Sequence, residues 1–512
     1  NLVPPSRRRL QLHNPKCVQR YTKELKKRIR QHNIDGCMYA LEQAVLSAPG
    51  QALTPQQAQE ADAIDNLRTQ AMLGAEKKCR KLRTGKVDYS PETMAPGKEL
   101  RFWRASLARK QGAKIHSRLW QSLKKAAKVT IPTKDLSFDD INQFIKSASD
   151  RYRVAKKQAP SNRETYLDTL PVKIQTRYLR VEAQRRQGRV ARAINGKLKG
   201  GAVSMVKTLG PNGETLVCST KPTLEKAIIS GNKGNYSRST DTPPMQEYFV
   251  RDFGFDGNTP AALEVLQGTY TPPPECDPTL RDFLSHCKLP PNIPLEPTCP
   301  KSITTECHQQ GWKKAKEHTQ AGLSGLSFAM MKADALDPEL AALDASSRNI
   351  AYVSGFSYSR WKTGINCMLI KKPGNFWVHK LRNVLLLECD FNMNNKKLSK
   401  DVMWAAELAD ALERELYGGR KNHRSVEVSL NYRLVNDLLR QKRKAAILAS
   451  TDVLGCFDCI VHSIAFLCLR RLGLPSAPIQ SMIDTIQQMT HYIRTAFGDS
   501  DDSYGYDPTA IL

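Results

Sequence analysis

The sequence predicts an α+β protein in which a basic, mostly helical N-terminal region precedes a region of mixed strands and helices. Three observations carry that expectation. Residues 1 to about 195 set apolar residues at helical spacing among dense Lys and Arg; residues 200–300 shift to Gly, Pro, Thr and Asn; and from Ile303 onward apolar segments of helix and strand length alternate with turn residues.

In the first region, Arg7-Arg8-Arg9 and Lys26-Lys27-Arg28-Ile29-Arg30 flank Tyr21, Leu25 and Ile29, a modest apolar stripe. Arg101 to Arg104, Arg109-Lys110, Arg118 to Trp120 and Lys124-Lys125 interleave cations with aromatics. Trp103 and Trp120 fit two roles, stacking on bases or filling a core, the second being the commoner. Lys156-Lys157 and Arg185-Arg186 continue the positive run.

The whole chain of 512 residues carries 78 Lys and Arg against 50 Asp and Glu, a formal net charge of +28. Residues 1–200 hold 43 of those cations and 17 anions, a net of +26, and the remainder is nearly neutral. A positive block so concentrated implies a polyanionic partner, nucleic acid being the commonest; a solvated basic face or an acidic membrane surface is the alternative. There is no apolar run long enough to span a bilayer and no charged-then-apolar leader, so no membrane partner and an intracellular location are expected. The first residue is Asn1, which suggests a fragment or a processed piece. Thirteen cysteines without a paired framework suit a reducing compartment. Cys276, Cys287, Cys299 and Cys307, with His286 and His308, are too irregularly spaced for a zinc knuckle, and Cys456 and Cys459 read as buried helix residues.

Between 200 and 300, Pro211 to Gly213 lies between Val203–Leu209 and Thr215–Val217 and signals a hairpin. Thr271–Pro274 and Pro290–Pro300 read as extended connectors, and the region as a linker or small accessory domain. Beyond it the pattern predicts a helix over Ile303–Glu317, a loop at Gly322–Leu326, and helical residues over Met330–Asn349 and then Trp361–Lys372. A strand at Arg382–Leu387, a helix at Asp401–Tyr417 stopped by Gly418-Gly419, and a helix at Val426–Lys442 come next. The run Ala445–Ala449 is short enough for a buried strand. It leads through Asp452 and Phe457-Asp458 into a helix marked by Ile460, Ile464, Leu467 and Leu472 and closed by Gly473 and Pro475.

Strand, turn and helix together deliver a carboxylate to the mouth of a sheet, where hard oxygen ligands hold Mg²⁺ beside phosphate. Asp452 suits that role, and equally the role of a helix N-cap. Asp452-Val-Leu-Gly-Cys456-Phe457-Asp458, followed by Ile460 and His462, resembles the first palm motif of reverse transcriptases, closest to those of non-LTR retrotransposons, with Cys456 in place of the usual alanine. A second segment is similar to the fingers of the same family: Leu369-Ile-Lys371-Lys372-Pro373-Gly374, then Leu381-Arg382-Asn383-Val384, Asp390 and Lys396, with Asn383 where proline is usual. Gly322 to Phe328 looks like the loop that opens those fingers, and Gly418 to Ser425 matches the family's next segment loosely.

The resemblance implies a right-hand polymerase: a basic connector over 1–199, an accessory region over 200–300, fingers over 301–444 and the first part of a palm over 445–512. It implies an RNA-directed DNA polymerase using two Mg²⁺ or Mn²⁺ ions, an RNA template, a DNA primer or target and deoxynucleoside triphosphates, at work in the nucleus. Asp452 becomes the catalytic metal ligand, the Val453 carbonyl its helper, and Phe457 the residue that excludes a ribose 2′-hydroxyl. Arg382 and Lys372 contact the incoming nucleotide or template. Arg7, Arg8, Arg9, Lys26, Lys27, Arg28, Arg104, Lys124, Lys125, Arg185 and Arg186 become nucleic-acid contacts. The Gly-rich second motif and the apolar-flanked Tyr-x-Asp-Asp hairpin do not occur in these residues, and Asp499-Ser-Asp501-Asp502 reads as a solvated turn. The chain is therefore expected to be inactive alone. A non-catalytic nucleic-acid-binding remnant is the alternative.

Overall fold

The computed structural model describes residues 10–79, 90–111, 115, 117–133, 135–194, 203–236, 239–291, 293, 302–317, 319, 322–372, 374–413, 416–420, 422–447 and 460–505. The chain is mixed α/β, mostly helical with one small mixed sheet. It divides into two compact units, residues 1–81 with 199–512, and residues 82–198.

The larger unit begins with three helices, α1 (Pro15–Gln31), α2 (Ile34–Ser47) and α3 (Pro55–Lys78). Asn14 caps α1 by accepting from the Cys17 amide, and Thr54 and Gln57 form a reciprocal capping box on α3, each just ahead of a proline in the first turn. Cys17, Tyr21, Leu25 and Ile29, four residues apart, form the buried stripe of α1.

The smaller unit is α4 (Pro91–Lys110), α5 (Ser117–Ala127), α6 (Phe138–Lys157), α7 (Ala159–Asp168) and α8 (Val172–Ile194). Its core gathers Leu100, Phe102, Trp103, Ile141 and Ala148. Trp103 is buried and stacks on Phe144 at 4.5 Å, so it is a core residue and unavailable to bases.

The larger unit resumes with the hairpin of β1 (Val206–Leu209) and β2 (Thr215–Cys218), in the place the Pro-Asn-Gly signal marks; Gly213 takes the positive φ of 81° that the turn requires. The region 200–300 is not the run of extended connectors that its composition suggests. Four helices, α9 (Lys221–Tyr236), α10 (Glu247–Phe253), α11 (Pro260–Gln267) and α12 (Pro278–His286), occupy much of it. Phe249, Phe253, Val265, Cys276, Leu280, Leu284 and Cys287 bury together with Leu467 from the far end of the chain. Pro260 and Pro278 open α11 and α12, each at the first helical position.

Next come α13 (Thr305–Lys313), α14 (Phe328–Asp334), α15 (Pro338–Ser354), β3 (Thr363–Ile370), β4 (Leu381–Leu386), α16 (Cys389–Leu408) and α17 (Ser425–Gln441). The helix expected over 330–349 is two helices, because Asp337 caps a new start at Pro338. Trp361–Lys372 holds a strand, not a helix: Thr363 to Ile370 pairs with β4 on one side, and these long-range partners override local propensity. The helix expected over 401–417 begins at Cys389 and ends at Leu408. Of the strand expected at 445–449, the described residues 445–447 are in no helix or strand, with Ile447 99% exposed.

The described chain closes with α18 (His462–Arg471), α19 (Ser476–Gln487), β5 (Thr490–Thr495), β6 (Gly498–Asp499) and β7 (Tyr504–Gly505). The sheet runs β4-β3-β5-β6 with β7 also on β5; β3 and β4 are antiparallel, β3 and β5 parallel. Asp499 is not a solvated turn residue. The register sets it across from Arg494, whose Nη2 donates to it at 2.9 Å, and its side chain is 6% exposed. Asp501 and Asp502 are exposed, Asp501 accepting from Lys221 Nζ at 2.6 Å.

A buried polar cluster ties α9, β3, β5 and β7. Asn232 and Asn366 donate to Tyr504 Oη at 2.7 and 2.6 Å, and the Tyr504 ring stacks on His491 at 5.3 Å. Burial holds the His491 imidazole down at about 4, against roughly 6.5 in an unfolded chain. Its contribution is therefore complete above about pH 6.5 and is lost as pH falls through 4, by up to about 3 kcal/mol. Buried Asp334 and Glu388, whose pKa values burial raises, act in the opposite sense and reduce the net slope. His491→Gln should remove this share of the pH dependence of the melting temperature between pH 7 and pH 5; a pH profile superimposable on that of the wild type would contradict this role.

Candidate nucleotide and nucleic-acid interface

Opposed residues of an antiparallel pair share a face. Ile370 opposite Leu381 therefore points with Met368 and Ile493 into the core that Val206, Leu224 and Ile228 complete. Leu369 opposite Arg382, and Cys367 opposite Val384, lie on the other face, where Arg382 is exposed. Lys371 and Lys372 leave β3 exposed, and Lys380 precedes β4 exposed. None of Lys371, Lys372, Lys380 and Arg382 has a carboxylate partner among the described residues.

The connecting loop is held from outside the hairpin. The Lys207 amide donates to the Phe376 carbonyl at 2.8 Å, and β1 bridges Trp377 in parallel. Val378 packs into the same core as β1 and α9. A cationic end on a braced hairpin can receive a polyphosphate without first being ordered.

Behind the hairpin lies a set of charges that sequence reasoning missed. Arg360, 8% exposed, donates to Asp65 at 2.7 and 2.8 Å, to Glu388 at 3.0 Å and to Asp390 at 3.1 and 2.5 Å. Arg68 donates to Asp344 at 3.0 and 2.5 Å. Burial works to raise the Asp390 carboxyl, but Arg360 and Arg68 outweigh it and hold the group at about 2. Glu388 also accepts from the amide and hydroxyl of Ser324, at 3.0 and 2.6 Å, which fixes the 322–327 loop. At Gly322 a Cβ would come within 2.3 Å of the Glu388 carboxylate, so any larger residue there would have to displace it. Asp390, matched to a fingers pattern in the sequence, is thus an interior anchor.

Asp452, Val453 and Phe457, with Cys456 and Cys459, lie outside the described residues, as do Arg7, Arg8 and Arg9. The side chain of Arg185, on α8, lies outside them too. Lys26 is engaged by Asp337 and Glu339, each at 2.8 Å, and Arg28 by Glu24 at 3.1 Å, so both are partly neutralised by their neighbours. Lys27, Arg104, Lys125 and Arg186 are exposed, and Lys124 is half-buried against Trp120. Arg104, Lys124, Lys125 and Arg186 belong to the unit 82–198, which holds 27 Lys and Arg against 10 Asp and Glu, a net of +17.

Among the described residues no group of three or more His, Cys, Asp and Glu is placed to hold a metal ion. None of their helices is long and apolar enough to cross a membrane. No protein-family model matches the chain, and neither a curated protein nor a solved structure matches it significantly.

Proposed function

We propose that this chain is the fingers and the beginning of the palm of an RNA-directed DNA polymerase of the non-LTR retroelement type. The observation that carries the reading is the β3–β4 hairpin with its uncompensated Lys371, Lys372, Lys380 and Arg382, followed in the chain by the Asp452 to Asp458 motif. Asp452 and the Val453 carbonyl offer hard oxygen donors, which suits Mg²⁺ or Mn²⁺. When bound, two such ions stabilise the attacking and leaving oxygens of nucleotidyl transfer. The chain's own part is to hold the triphosphate with Lys372 and the planar fork of Arg382, and to set Phe457 against the sugar.

The test is photo-cross-linking of labelled dTTP to the purified chain with Mg²⁺. Cross-links should fall within residues 371–382, and Arg382→Ala should raise the half-saturating dTTP concentration about 10- to 100-fold, the worth of a charged hydrogen bond. Labelling that is unchanged in the variant would remove Arg382 from the site. The net charge of +17 on residues 82–198 favours a second reading, a nucleic-acid-binding protein without catalysis. RNA binding with no dTTP labelling would select it.

A further inference from the structure

The unit 82–198 contains a cavity of about 470 Å³ that the polymerase reading does not use. It opens between α4, α5 and the start of α6, and its lining includes Ser106, Arg109, Lys110, Ser117, Trp120 and Thr133. Among the described residues no Asp or Glu lines it. Two donors of its lining residues are unspent: the hydroxyl of Ser106, a residue only 6% exposed, and the buried indole Nε1 of Trp120 have no hydrogen-bond partner among the described residues. Buried polar groups are ordinarily paired, so two orphan donors at one cavity ask for an acceptor from outside.

The charges around it specify what kind of acceptor. The Arg109 guanidinium sits 5.0 Å from the Trp120 ring and Lys124 Nζ 5.7 Å from it, while Lys110 lies over Phe138 at 5.2 Å and also donates to the Leu136 carbonyl. Ser117, the first residue of the 11-residue α5, lines the same space, so the positive end of that helix lies beside it. Neutral donors, cations and the first turn of α5 make a place for a tetrahedral oxyanion; Asp140 is within electrostatic reach of Lys110 but is not in the lining and is taken up by the Ser137 amide and hydroxyl, at 2.8 and 2.7 Å.

We propose that this cavity is a phosphate-binding pocket that seats one backbone phosphate of a bound polynucleotide. Ser106 Oγ and Trp120 Nε1 donate from inside, and Arg109 and Lys110 close over the anion from the rim. A seated phosphate fixes the register of the strand on the unit without reading its bases. The inference rests on the nucleic-acid-binding part of the function proposed above and is independent of the polymerase part.

The test uses the full chain labelled with 5-fluorotryptophan, followed by ¹⁹F NMR, with the Trp120 line assigned through Trp120→Phe. A 20-nucleotide single-stranded RNA should move that line. Arg109→Gln should weaken RNA binding about 3- to 10-fold and lower the slope of log K against log salt by about 0.7, one phosphate contact on a single strand. Ser106→Ala should weaken binding without that change in slope. The exposed pair Lys156→Gln and Lys157→Gln should leave the Trp120 response intact.

RNA binding with a motionless Trp120 line, or with unaltered affinity and slope in Arg109→Gln, would overturn the pocket and leave the nucleic-acid reading standing. Inorganic phosphate moving the line where RNA does not would make it a small-anion site and overturn the polynucleotide assignment. Wild-type protein that binds no RNA would overturn both.

Discussion

Arg360→Leu is expected to destabilise the larger unit by about 3–5 kcal/mol, the cost of leaving buried charges unpaired. The guanidinium is the shared partner of Asp65 from α3, of Glu388 just before α16 and of Asp390 within it, and these carboxylate side chains are 1–3% exposed. Removing it strands up to three carboxylates where water cannot replace it. A domain has only about 5–15 kcal/mol in total, so the loss should appear as a large drop in the urea midpoint. Arg360→Lys restores the charge but not the fork and should fall between the two. A leucine variant that melts like the wild type would mean that the ion cluster is not holding α3 to the segment 360–390. The cluster is weak support for stability as such, since an apolar replacement of the whole set could do as well; its selectivity lies in admitting one arrangement of three distant segments.

That cluster also marks where the sequence ceased to be legible. Arg360 and Asp65 are 295 residues apart, and Arg68 and Asp344 276 apart, so no local spacing connects them. Asp390 was visible as a motif position, yet its partner was not, and only the partner makes it an interior anchor. The same limit explains Trp361–Lys372. Its apolar residues suit a helix or a strand, and the pairing with β4 and with β5, which lies more than 100 residues later, decides for strand. Signals written within a few residues were readable: the hairpin at Pro211–Gly213, helix α17, the stop at Gly473 and the strand at β4.

For the candidate site, legibility tracked chemistry. The cations between β3 and β4, and Arg382 on β4, are visible in the sequence by type and order, and the structure leaves them exposed. Lys26 and Arg28 look the same in sequence and differ in having acidic neighbours, some from a segment 300 residues away. The pocket around Ser106 and Trp120 had no sequence signal beyond aromatics among cations, since an orphan donor is a property of packing.

Asp452→Ala should abolish polymerisation if the proposed function is right, because in that reading its carboxylate is the first ligand of both catalytic ions. Removing a group that acts only in the transition state lowers kcat, and loss of a single such electrostatic contact already costs about 10²–10³-fold. RNA binding through the basic unit should be untouched by the change, which separates a dead site from a misfolded protein. The measurement is Mg²⁺-dependent primer extension on an RNA template with deoxynucleotides, by protein expressed from its reading frame carried past Leu512. Extension by the wild type that falls to background in Asp452→Ala, with equal RNA affinity, is the expected result. Extension undiminished in Asp452→Ala, or none by the wild type while RNA is bound, would contradict the assignment of this chain to a polymerase.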